Sequence, residues 1–326
     1  MKSFLKISLI YLFIFELIFQ FLIFFNFKYV KIPDLFYNGY CNQKYWNFND
    51  KKIKFDSETE YHPILSYVKK DLNIPSSLDK QTYIENSYFD ENQISLYGSS
   101  YINHKEFKSL ISNNSNFEFK NYALNSYGLD QIYLSYKLTA HMNQNRIIVI
   151  GFLLEDLDRS IFYKRDYEKV IFRKKNGNFI LDNTPIENDK PNNFSFDLYL
   201  FRFLGNFYSL FKNDFDPRLD DCKKNYKIDL FNFYLNDMKK ISKKFNQKLV
   251  FVTFNLKEDL IKEPTWRYNE VKNALEENNI THIDSLTILR NKSENSIEEI
   301  NTYFGLDKHN NIKSFAFIIE DLFKDL

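Results

Sequence analysis

Residues 7–25 form a nearly uninterrupted apolar run in which Glu16 and Gln20 are the strongly polar exceptions. As a helix, about 19 residues reach roughly 28 Å, close to the thickness of a bilayer hydrocarbon core. Glu16 and Gln20 are four apart and fall on one helical face, which reads as a tolerated polar pair rather than a contact face for a partner helix. Lys2 and Lys6 precede the run, and Asn26-Phe27-Lys28-Tyr29-Val30-Lys31 follows it without the small residues of a cleavage site. The expectation is an uncleaved single-pass anchor over residues 1–28, with the soluble part on the exported side. Lysines on both flanks set the orientation only weakly.

Beyond the anchor, residues 29–90 are polar, aromatic and without clear period, and are read as a membrane-proximal region. From 91 onward the pattern alternates between strand and helix. Strands are expected at 93–97, 117–124, 146–152, 248–254 and 280–284, and helices at 104–111, 129–142, 228–245, 266–277 and 312–323. The runs RIIVIGF at 146–152 and LVFVTF at 249–254 are continuously apolar and rich in β-branched residues, as central strands of a parallel sheet covered on both faces must be. The fold class expected for 91–326 is therefore α/β, a three-layer doubly wound sandwich around a central parallel sheet. A long insertion, about 174–224, interrupts the alternation. Lys175-Asn176-Gly177-Asn178 has the chemistry of a tight hairpin turn, which predicts a β-hairpin near 172–181.

Lys and Arg number 44 against 43 Asp and Glu, a net charge of +1, which gives no electrostatic reason to propose a nucleic-acid partner. Phe (35) and Tyr (23) greatly outnumber Gly (7), so aromatics are the default apolar choice here and carry no chemical signal of their own. Cys41 and Cys222 are the two cysteines; they either pair or stay as free thiols. No Cys/His spacing suits a metal, and no cofactor is expected.

Two short segments carry the chemistry. Leu96-Tyr97-Gly98-Ser99-Ser100 sets a small-residue turn directly after the first strand of the sheet. A serine there lies at the carboxyl edge, where open α/β folds bind ligands; a turn with a capping serine is the plainer reading. Gly305-Leu306-Asp307-Lys308-His309 precedes the last helix. An acid and an imidazole two apart in a loop can face one site, the carboxylate orienting the ring.

Together with the segments between them, these residues resemble the SGNH/GDSL hydrolase family. Leu96 to Ser100 is similar to its first block, and Asn121-Tyr122-Ala123-Leu124-Asn125-Ser126-Tyr127-Gly128-Leu129-Asp130-Gln131 to its second. RIIVIGFLLEDLDRS, residues 146–160, is similar to the third, and Asp307-Lys308-His309 falls where the family keeps its Asp–His element. Glu60-Tyr61-His62-Pro63-Ile64-Leu65-Ser66-Tyr67 is weakly similar to a lead-in of membrane-anchored members. The resemblance implies Ser100 as nucleophile, His309 as general base and Asp307 as the carboxylate that fixes its tautomer. It also implies an oxyanion site at the second and third blocks, with Asn125, Ser126, Gly128, Glu155 and Arg159 as the candidates there. Ser99 stands where the family has Asp, and Asn125-Ser126 where it usually has Gly. Glu155 stands where it has Asn; an ionised carboxylate there donates nothing and repels a developing oxyanion, so Asn125 is the substitute side-chain donor. Arg159 and Arg165 pair with Glu155 and Asp156, bind an anionic substrate, or are simply solvent-exposed helix charges.

The function implied is a membrane-anchored serine ester hydrolase or O-acyl transferase of the cell envelope, acting on acylated surface carbohydrate or another ester. The competing reading is a catalytically silent module of the same fold that binds glycan or serves as a scaffold. A plain membrane-tethered structural protein would require the four matches to be coincidence.

Overall fold

The computed structural model describes residues 2–24, 57–78, 92–113, 117–161, 169–182, 224–307 and 309–326. Cys41, Cys222, Arg165 and most of the expected insertion lie outside them, as does most of the expected membrane-proximal region. The chain divides into two compact units. One comprises Met1–Lys54, Phe162–Glu168 and Glu187–Lys224; the other comprises Phe55–Ile161, Lys169–Ile186 and Asn225–Leu326.

In the first unit, α1 (Lys2–Phe24) is a single helix of 23 residues, and Gln20 Nε2 donates to Glu16 Oε1 at 2.7 Å, as their four-residue spacing allows. Its side chains are described over residues 6–21 and at Phe4, a stretch shorter than a span requires. Among the described residues no helix is long and apolar enough to cross a membrane.

The second unit is an α/β domain. Its sheet runs β4 (Glu118–Asn121), β3 (Gln93–Gly98), β5 (Ile147–Leu153), β8 (Lys248–Phe254), β9 (Thr281–Asp284), with every pairing parallel. In chain order this is 2-1-3-4-5, the flavodoxin-like doubly wound arrangement. The chain leaves β3 for β4 on one side and returns to β5 on the other, so the topological switch point lies between β3 and β5.

Period-two alternation sends the strand residues to two faces. Ile94, Leu96, Ile147, Val149, Val250 and Val252 join Phe107 and Ile111 of α2 (Lys105–Ser112) and Phe315, Ile318 and Leu322 of α10 (Ile312–Asp325) in one core. On the opposite face Tyr97 stacks on Tyr122 at 4.7 Å and meets Tyr136 of α3 (Leu129–Thr139) edge-on. Phe152 meets Phe231 of α5 (Lys224–Lys244) on that face as well. Burying a phenol requires a partner for its hydroxyl. Tyr97 finds Thr139 Oγ1 at 2.7 Å, and Asn143 Nδ2 donates to the phenols of Tyr97 and Tyr122.

The second expected strand is short, Glu118–Asn121, but the ladder continues through Tyr122 N to Leu96 O (2.8 Å) and Leu124 N to Gly98 O (3.1 Å). The hairpin expected from Asn176-Gly177 is present as β6 (Ile171–Lys175) and β7 (Asn178–Asp182), with both turn residues at positive φ. The stretch read as irregular before residue 91 contains a second hairpin, β1 (Thr59–His62) and β2 (Ser66–Lys69), inside the α/β unit. Two four-residue strands are too short to show a period in the sequence. Helices α8 (Ser285–Ser293) and α9 (Ile297–Asn301) fill a stretch for which no element was expected.

Gly98 and Gly151 face each other across β3 and β5. A Cβ on Gly98 would run into Gly151 O and lie 2.7 Å from Ile102 Cγ1, and a Cβ on Gly151 would occupy the space of the Ile102 side chain. Gly151→Ala is expected to lower stability by about 1–3 kcal/mol through overpacking. Combined with Ile102→Ala, which vacates that space, the two losses should be less than additive. Urea-unfolding midpoints of the four chains measure this.

Candidate active site

Ser100 sits one residue past the end of the sheet ladder, where Ser99 N still donates to Gly151 O at 3.3 Å. The chain then winds tightly, with Asn103 N on Ser99 O (3.1 Å) and His104 N on Tyr101 O (3.3 Å), before α2 begins. This turn presses Ile102 onto the two glycines and leaves Ser100 half-buried at the carboxyl edge, beside the switch point. Ser99 is buried, and its hydroxyl has no hydrogen-bond partner.

His309 arrives from the loop before α10, which a bridge between Phe304 and Asn310 closes, with Gly305 N donating to His309 O at 2.9 Å. Asn311 caps α10 by accepting from Lys313 N and Ser314 N, and its own N–H binds Tyr303 O, so the loop is fixed at its far end too. The result is His309 Nε2 at 2.9 Å from Ser100 Oγ, across 209 residues of sequence. Asp307 Oδ1 accepts the backbone N–H of His309 (3.2 Å), and its Oδ2 lies 3.4 Å from His309 Nδ1. That approach is an ion-pair distance and not an aligned hydrogen bond; Nδ1 has no hydrogen-bond partner. Burial pushes the Asp307 carboxyl up, but the His309 N–H, the His104 side chain and the two imidazoles together outweigh it and hold the acid below the usual range. His104 Nε2 reaches the same Oδ2 at 3.3 Å, a contact no sequence spacing foretells.

The second block is shaped by the β1–β2 hairpin. Tyr67 OH donates to Asn125 O (2.5 Å), Tyr127 OH to Tyr67 O (2.5 Å), and Gln131 Nε2 to Leu65 O (2.8 Å). Ser126 has φ +66°, the left-handed conformation that favours glycine, so the backbone keeps the turn that the resemblance assigns to Gly at a steric cost. Asn125 is exposed; Asn103 Nδ2 donates to its Oδ1 at 3.1 Å, which leaves the Asn125 amide nitrogen as its donor. Gly128 allows the start of α3 to lie against α4 (Asp156–Arg159), where a Cβ would come within 2.9 Å of Arg159 Cβ.

Arg159 pairs with buried Asp156 at 2.5 Å, whose other oxygen accepts Leu153 N, and Arg159 also reaches Tyr127 O at 3.4 Å. Arg159 therefore ties the second and third blocks together. Glu155 begins the turn after β5 with no aligned bond to Ser100 or His309; its Oε2 is buried and has no hydrogen-bond partner. Burial first, and the carboxylate of Asp259 second, push its acid up to about 8, against the opposing pull of Arg267. Among the described residues, Lys227 (2.8 Å) and Arg267 (2.7 Å) both pair with Asp158. Glu155 is thus biased toward its uncharged form, which carries a proton it can donate. Among the described residues no group of three or more His, Cys, Asp or Glu side chains could hold a metal ion.

No protein-family model matches the chain, and no curated protein matches it. Among solved structures it is similar to the YXIM protein of Bacillus subtilis, with a TM-score of 0.42 and 9% identity over 72% of this chain and 57% of that one. It is also similar to a candidate acylhydrolase from Bacteroides fragilis (TM-score 0.38, 10% identity, 74% of this chain and 89% of that one). A GDSL-like lipase from Bacteroides thetaiotaomicron gives 0.36, 9%, 74% and 90%. The chain thus spans little more than half the length of the first of these. These likenesses are distant, and the chemistry rests on the residues themselves.

The Glu155 acid ionises near 4.5 in an open environment and near 8 in the fold, so between those values the folded chain holds the extra proton. Its share of stability is complete below 4.5 and is lost as pH rises through 8. Subtracting the stability of Glu155→Gln from that of the native chain isolates this share. The difference should shift against the native chain by at least about 1 kcal/mol between pH 5 and pH 9. Denaturant titrations of both chains at the two pH values measure it.

Proposed function

We propose that this chain is an SGNH-type serine hydrolase of ester bonds, or an O-acyl transferase using the same nucleophile. The observation that carries the reading is Ser100 Oγ at 2.9 Å from His309 Nε2, on the carboxyl edge of the sheet beside the switch point. Nε2 takes the hydroxyl proton as Oγ attacks the acyl carbonyl, and Asp307 stabilises the imidazolium that results. The oxyanion is held by the Ser100 N–H and by the Asn125 amide; donors aimed where charge develops are worth about 3 kcal/mol each. His309 then returns the proton to the departing alkoxide. Water completes hydrolysis of the acyl-enzyme, and an acceptor hydroxyl completes transfer.

The substrate we assign is acylated carbohydrate of the cell envelope, reached from a membrane to which residues 7–25 anchor the chain. The unbroken helix α1 supports the anchor, as do its exposed apolar side chains, among them Phe4, Ile7, Leu9 and Phe13. The second reading, a silent glycan-binding or scaffold module, is favoured by Ser99 and Glu155 standing where the family has Asp and Asn. Reactivity separates the two.

A fluorophosphonate probe is expected to label the full chain in detergent. Labelling should vanish in Ser100→Ala and slow by on the order of 10³-fold or more in His309→Ala. A folded native chain that takes up no probe moves the reading to the silent module. For the anchor, alkaline extraction of expressing cells should leave the full chain with the membranes and release a chain lacking residues 1–28. Release of both would remove the anchor from the proposal.

A further inference from the structure

Asp307 stands between two imidazoles. One is His309, whose Nδ1 lies 3.4 Å away without alignment; the other is His104, whose Nε2 donates to Asp307 Oδ2 at 3.3 Å. His104 is fixed by the nucleophile's own turn. Its N–H binds Tyr101 O, and its carbonyl accepts Lys108 N at 3.0 Å as the chain enters α2. Its ring lies nearly parallel to that of His309 (centroids 5.4 Å apart, 25° between planes) and packs against Phe315 of α10.

The carboxylate needs such a fixture. Asp307 is at the tip of a loop with 56% of its side chain exposed, whereas only 16% of His104 is. An exposed carboxylate with one backbone bond is free to turn away, and an imidazolium forming at His309 would then lack its counter-charge. The surroundings of the ring also select its tautomer. His104 Nδ1 is buried and has no partner. A lone acceptor there is tolerable, whereas an Nδ1–H would be a buried donor left unmade. The Nε2–H tautomer donates to Asp307 Oδ2.

We propose that His104 is a positioning residue of this site, holding Asp307 against His309 Nδ1 through its own Nε2–H. The inference rests on the serine-hydrolase reading above, and its test uses the rate of fluorophosphonate labelling of the full chain. His104→Ala should slow labelling about ten- to hundred-fold. His104→Gln, which offers a donor at nearly the same place, should recover most of the rate. In an Asp307→Ala background His104→Ala should cost nothing further. Equal losses in the Ala and Gln variants, or an undiminished loss without Asp307, would overturn the proposal and reduce His104 to ring packing. Imidazole ¹⁵N spectra test the pairing whether or not the chain reacts. They should show His104 as the Nε2–H tautomer, with a resonance that moves in Asp307→Ala; an Nδ1–H form, or no response, refutes it. Absence of labelling in the native chain, with the spectra as expected, would refute the hydrolase reading and leave the pairing standing.

Discussion

The site depends on a close approach that two missing side chains permit. Gly98 and Gly151 face each other at the ends of adjacent parallel strands, and Ile102 occupies the room their Cβ atoms would take. That seating lets the chain turn sharply off β3 while Ser99 N still reaches Gly151 O. A wider turn would lift Ser100 off the sheet edge and away from the imidazole. Close-packed interiors leave little room for such a shift, so the geometry is set by backbone sterics before any polar contact forms.

Around this turn the polar contacts divide into two kinds. Neutral hydrogen bonds from the β1–β2 hairpin brace the second block, with Tyr67, Tyr127 and Gln131 all reaching backbone carbonyls. Ion pairs brace what lies behind it: Lys169 on Asp130, Arg159 on Asp156, and Lys227 and Arg267 on Asp158. Each of these buried carboxylates has a cation of its own, as burial of charge demands. Among the described residues Glu155 has no ion pair of its own, and burial pushes its acid up instead.

The imidazole side of the site is looser. The loop bearing His309 is pinned at both ends by backbone bonds, yet Asp307 projects toward solvent and is steadied by contacts from both histidines. An imidazole placed against the Ser100 hydroxyl, with the Asp307 carboxylate near but not aligned to it, is an arrangement a bound ligand could tighten.

Much of this was legible in the chain. Continuous apolar runs are the mark of covered parallel strands, and 146–152 and 248–254 occupy two of the central positions. The small-residue turn after the first of the sheet's strands and the Asp-x-His before the last helix are local signals, and the fold brings Ser100, Asp307 and His309 from them to one edge of the sheet. The β1–β2 hairpin was not legible: its strands are too short for a period, and its stability comes from contacts with a loop some 60 residues away. His104 could not be seen as a partner of Asp307 across 203 residues, nor could Glu155 be seen as an acid biased toward its uncharged form. Local sequence determines which elements form and which turn sets a serine at the sheet edge, since period and backbone conformation are short-range properties. Only the tertiary structure decides which carboxylate keeps its charge and which imidazole holds it, because burial and Coulomb interaction act through space and not along the chain.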